Sequence, residues 1–121
     1  MTTNTNIKNL PLGPTNKYFT ELGYSQSYPW KEIKRTAKTR TLARVLTERD
    51  PDWKPEIIPG GFVGHCTNQG EQTWLYAGVD MNDTVTIRKV KSRYCGEDEM
   101  WANRGTKFVE DRAVEFYDWN F

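Results

Sequence analysis

The chain has little of what most small enzymes use. It holds a single histidine, His65, and two cysteines, Cys66 and Cys95. Nowhere do about 18 apolar residues follow one another, so neither a membrane span nor a secretory leader is read, and the expected location is the cytoplasm. Without secretion the two cysteines are expected as free thiols, and Asn82-Asp83-Thr84 reads as a turn between strands rather than a glycosylation site. Net charge is only +1, which by itself points to neither nucleic acid nor membrane. Its distribution is less even, since residues 1–59 carry +4 and residues 60–121 carry −3. Internal repeats are absent.

Aromatic residues are what the chain does have: 5 Trp, 6 Tyr and 5 Phe, 13% of its 121 residues. A core built from a few large rings suits sheets better than helices. Thr84-Val85-Thr86-Ile87-Arg88 and Ala113-Val114-Glu115-Phe116-Tyr117-Asp118 alternate as half-buried strands should, and Gln72 to Ala77, Met100-Trp101 and Lys107-Phe108-Val109 are shorter candidates. Residues 31–49 fit either a helix or two strands around Thr36-Ala37-Lys38-Thr39, and the density of threonine favours strands. Pro51, Pro55 and Pro59 make 50–60 a stiff connection. Residues 1–16, rich in Thr, Asn and Pro, read as a flexible arm ahead of a single domain over 17–121. The fold class that follows is mainly β, a small antiparallel barrel or curled sheet.

Candidate binding residues concentrate between 59 and 74. Gly60, Gly61 and Gly64 permit a tight turn or a close approach; Phe62 and Trp74 are candidate anchors; His65, Asn68, Gln69 and Gln72 are candidate polar contacts. Each also has a structural reading, as a turn or as loop-to-backbone hydrogen bonds. His65 beside Cys66 does not make a nucleophile and base, because neighbours on an extended chain point to opposite faces. A hydrolase or lyase with His65 as general base needs a carboxylate from another strand. Zinc would need His65, Cys66, Cys95 and one of Glu97, Asp98 or Glu99, and no metal-ligand spacing supports that set. No metal, cofactor or catalytic residue is assigned.

A second cluster, Lys31, Lys34, Arg35, Lys38, Arg40 and Arg44, lies beside Tyr28 and Trp30 and suits phosphates with neighbouring bases. The acidic residues Glu110, Asp111, Glu115 and Asp118 can pair with it inside the molecule instead.

Three segments together resemble a family of small proteins encoded by bacteriophages and other mobile elements: Gly23-Tyr24-Ser25 with Tyr28-Pro29-Trp30; Pro59-Gly60-Gly61-Phe62 with Gly64-His65 and Asn68-Gln69; and Glu115-Phe116-Tyr117-Asp118-Trp119-Asn120-Phe121. The chain departs from that pattern at Cys66 and at Trp119. The resemblance covers roughly residues 17–121 and implies a partly open, SH3-like β-barrel. It implies no catalytic residue. A small phage-type binding protein acting on a host macromolecule is therefore expected, with a host protein as first partner, nucleic acid as the alternative, and oligomeric state left open.

Overall fold

The computed structural model describes residues 6–9, 18–59, 64–91 and 99–120. Among them no helix is long and apolar enough to cross a membrane. The chain is mainly β. Its strands are β1 (Ile7–Lys8), β2 (Tyr18–Leu22), β3 (Ser27–Arg35), β4 (Thr39–Arg49), β5 (Ile57–Ile58), β6 (His65–Cys66), β7 (Trp74–Lys91), β8 (Glu99–Asn103) and β9 (Thr106–Glu110). Seven of them form one mixed sheet in the order β1-β7-β4-β3-β2-β9-β8, and β5 and β6 make a separate pair.

The β7 strand, second in this order, also pairs with β8 at the far end of the sheet. The pairings β4, β3, β2, β9, β8 and β7 thus return to their starting point. Each of these six strands sends one residue into a shared core: Phe19, Trp30, Leu42, Ile87, Trp101 and Phe108, all buried. Phe19 meets Trp101 edge-on with ring centroids 6.1 Å apart, and Trp30 meets Phe108 at 6.2 Å. Such edge-to-face pairs add about 0.5–1.5 kcal/mol each beyond the area they bury.

Residues 31–49 are strands, joined at Thr36 by a turn in which the Thr36 hydroxyl accepts from the amides of Lys38 and Thr39. The β8–β9 hairpin turns on Arg104 and Gly105, both at positive φ (48° and 83°), as a two-residue connection requires.

Three sequence expectations change. Asn82-Asp83 does not end a strand: β7 runs through it, paired to β4 on both sides, with residues 81–83 bulged outward between the Ala43–Thr84 and Arg44–Asp80 pairings. The Asp80 carboxylate accepts the Asn82 amide at 2.9 Å and stabilises the bulge, so local turn chemistry serves an excursion within a longer ladder. The segment from Ala113 to Asp118 makes only one isolated bridge, Ser27 to Phe116, because most of its backbone partners are side chains. Residues 6–9, inside the arm expected to be flexible, are docked: β1 pairs in parallel with β7, and Ile7 is 4% exposed against Val45 and Ala113. Composition misplaced them because a single isoleucine in a polar stretch is enough once a pocket exists for it.

Candidate functional site

The loop residues that stand out in the sequence are held mainly by the protein itself. Gly60, Gly61 and Phe62 lie outside the described residues. Gly64 leads into β6, where a side chain would run into Ile57, so the close β5–β6 approach uses its missing Cβ. Gln72 is buried; its Nε2 donates to the carbonyls of Gln69 and Tyr117 at 2.8 and 3.0 Å, and its Oε1 accepts from Trp74 Nε1 and the Tyr117 amide at 2.8 and 2.9 Å. Asn68 spans to the preceding connection, donating to the Lys54 carbonyl and accepting from the Glu56 amide, both at 2.8 Å. Gln69 Oε1 accepts from the Trp119 amide at 2.9 Å. Trp74 packs beside the cluster of Ile7, Val45 and Ala113.

The Gln72 and Gln69 amides act as surrogate strand partners for an irregular tail. Asn120 does the same from the tail side, its Oδ1 accepting the Cys66 amide at 2.8 Å and its Nδ2 donating to the Cys66 carbonyl at 3.0 Å. Trp119 closes the arrangement against Trp53, centroids 5.0 Å apart.

His65 is exposed on β6 and makes no hydrogen bond through its ring among the described residues. No carboxylate there activates it. Cys66 is free, buried, and donates its thiol to Asn68 Oδ1 at 3.4 Å. Cys95, Glu97 and Asp98 of the conceivable zinc set lie outside the described residues; within those, no group of three or more His, Cys, Asp or Glu could hold a metal ion.

The basic run is divided by its own neighbours. Glu32 takes Arg35 at 3.1 Å and Arg40 at 3.4 Å, while Glu115 takes Arg44 at 3.5 Å, the intramolecular pairing that the acidic C-terminal segment suggests. Arg44 also lies 4.6 Å from the centre of the Tyr28 ring. Lys31, Lys34 and Lys38 have no carboxylate partner among the described residues.

The structure assembles cations that the sequence reading kept apart. Arg40 pairs across the sheet with Ile87, which faces the core, and Lys89 lies two residues further along β7, so both point toward the same end of the ring of strands. There they cover Trp101, with the guanidinium carbon 4.6 Å and the ammonium nitrogen 5.4 Å from its ring centre. Ala37, Lys38, Thr39 and Arg88 complete an open pocket of about 570 Å³. Arg40 is fixed there by the carbonyls of Thr36 and Thr39 at 2.8 and 2.9 Å. Lys38, Arg88 and Lys89 have no carboxylate partner among the described residues. Arg88, Lys89 and Lys91 within four residues were the available signal, but only the β4–β7 pairing brings them to the Thr36 turn.

A smaller depression of about 400 Å³ shares Arg88 and continues past Met100 to Arg104. Compared with known protein families, curated proteins and solved structures, the chain matches no family model, no curated protein and no solved structure.

Proposed function

We propose that this chain is a small, phage-type, non-enzymatic binding protein of the partly open SH3-like barrel kind, acting on a host macromolecule in the cytoplasm, and that the macromolecule is nucleic acid. The observation that carries the reading is the pocket lined by Lys38, Arg40, Arg88 and Lys89, with Arg40 and Lys89 lying over Trp101. Three of these cations lack carboxylate partners among the described residues and are available to phosphates. Cation–π contact orders two of the side chains in advance without neutralising them, which lowers the entropy lost on binding. Closure of the pairings through β7 and β8 supports the barrel, and a pocket lined by the turn between β3 and β4 suits it, since barrel mouths are a common position for ligand sites.

The test is fluorescence anisotropy with a labelled single-stranded oligonucleotide over a salt series. With three phosphates neutralised, log affinity against log salt has a slope of about −2 for a single strand. Arg88→Gln with Lys89→Gln flattens that slope by more than half. Absent or salt-insensitive binding removes the reading.

A host protein is the second reading, favoured by Ile57 and Ile58, 47% and 54% exposed on the short β5–β6 pair beside His65. Aliphatic side chains exposed together at a hairpin suit a protein interface. Capture of one protein that survives nuclease treatment and is lost on Ile58→Glu supports it.

A further inference from the structure

Residues 6–8 sit on the body of the protein as a bound peptide would. Their backbone adds a parallel edge to β7, with Ile7 opposite Trp74 and Lys8 opposite Leu75, and the Trp74 amide donates to the Asn6 carbonyl at 3.2 Å. The Asn6 side chain holds both backbone groups of Glu115, donating to its carbonyl and accepting from its amide. Ile7 fills the apolar pocket of Val45, Ala113, Tyr18, Trp74 and Tyr76. Lys8 Nζ lies 2.6 Å from Asp50 Oδ2. Asn9 then turns the chain away at positive φ (64°).

Each wall of this groove is set by the body, not by its occupant. The Asp50 carboxylate, 2% exposed with Lys8 in place, is held by the Thr73 hydroxyl at 2.9 Å and the Asp52 amide at 3.0 Å. The Glu115 carboxylate is held by Thr47 and Arg44. A two-residue strand contributes few ladder hydrogen bonds, so the occupant is held chiefly by three side-chain pockets.

We infer that this groove is a recognition site for an extended Asn–aliphatic–Lys segment of another protein chain, which the protein's own residues 6–8 occupy in its absence. A carboxylate preorganised by Thr73 and the Asp52 amide selects the lysine, a pocket of aliphatic and aromatic walls selects the branched residue, and the Glu115 backbone selects the amide. The tethered segment competes at an effective concentration in the millimolar range, so a natural partner must extend its contacts beyond these three residues.

The experiment uses the full chain and a labelled peptide of residues 3–12. Ile7→Asp releases the tethered segment, and this chain is expected to bind the peptide about tenfold or more tighter than the wild type does, because self-competition is gone. Adding Asp50→Asn weakens that binding about tenfold or more, as does Lys8→Glu in the peptide. Should Ile7→Asp fail to fold, Lys8→Glu in the chain releases the segment by repulsion from Asp50 with the apolar core intact. A folded, released chain that does not bind the peptide overturns the proposal. So does binding indifferent to Asp50, dimerisation through the segment in place of peptide binding, or unfolding with both releasing substitutions.

Discussion

Gln72 and Tyr117 are paired as two strand residues would be, except that one of them uses its side chain. The Gln72 amide accepts the Tyr117 N–H at 2.9 Å and donates to the Tyr117 carbonyl at 3.0 Å. Forty-five residues separate them, and this side chain fixes the C-terminal segment against the start of β7. Gln72→Ala leaves the Tyr117 backbone groups and Trp74 Nε1 without these partners in a part-buried setting, and the expected loss is about 1–3 kcal/mol. Urea unfolding measures it; a change within about 0.5 kcal/mol, ordinary for a surface substitution, would show the pair to be dispensable.

Deleting residues 116–121 removes the Ser27–Phe116 bridge, the Gln72–Tyr117 and Cys66–Asn120 pairs, and the Trp53–Trp119 contact. The melting temperature should fall by on the order of 10 °C, given about 4–8 °C per kcal/mol for a domain near this size. Unchanged melting would mean that the tail only decorates a finished core.

Asp50 sets an acid limit. Its carboxyl is brought down from 3.8 to about 2, first by the hydrogen bond from Lys8, then by the Asp52 amide and Thr73, with burial opposing them. A depressed carboxylate contributes stability above its unfolded value and loses it as pH falls through the folded one, so the loss runs from near pH 4 to near pH 2. Lys8 is raised above 10.5 by the same contact, and its contribution is complete below that value and lost as pH rises through the raised one. Melting temperature recorded against pH should therefore drop more steeply between pH 4 and 2 in the wild type than in Asp50→Asn. Parallel profiles would separate Asp50 from acid stability.

Glu115 works in the opposite sense. Burial pushes its carboxyl above the usual 4.5, only partly offset by Thr47 and Arg44. The folded state favours the neutral form, so a cost appears as pH rises above 4.5 through the raised value and persists at neutrality. In Glu115→Gln this cost is gone, and its stability relative to wild type should rise between pH 4.5 and 7. A constant difference across that range would contradict the assignment.

The mainly β class was legible because it rests on local properties. Alternation at Thr84 to Arg88 and the threonines at 36, 39 and 41 bias the backbone toward strands wherever the chain goes. Sixteen aromatic residues announced a ring-built core, although nothing in their spacing says that six strands contribute one core residue each.

The segment from 59 to 74 was legible as unusual, but its meaning was not. An asparagine or glutamine that reads a ligand and one that substitutes for a strand partner are chemically the same residue. Gln72 could be assigned only once Tyr117 was seen beside it. Ile7 and Lys8 gave no local sign of docking, because the pocket they fill is built from residues 18 to 113 and the carboxylate they reach is 42 positions away from Lys8.

Composition and alternation thus determined the backbone class, the aromatic core and the presence of a basic run, since each depends on neighbours within a few residues. Tertiary structure alone decided which cations remain unpaired, that Arg88 and Lys89 join Lys38 and Arg40 around one pocket beside Trp101, and that the N-terminal segment occupies a groove. Those outcomes depend on the register between strands distant in sequence, and register is fixed by packing over the whole ring of strands rather than by any single segment.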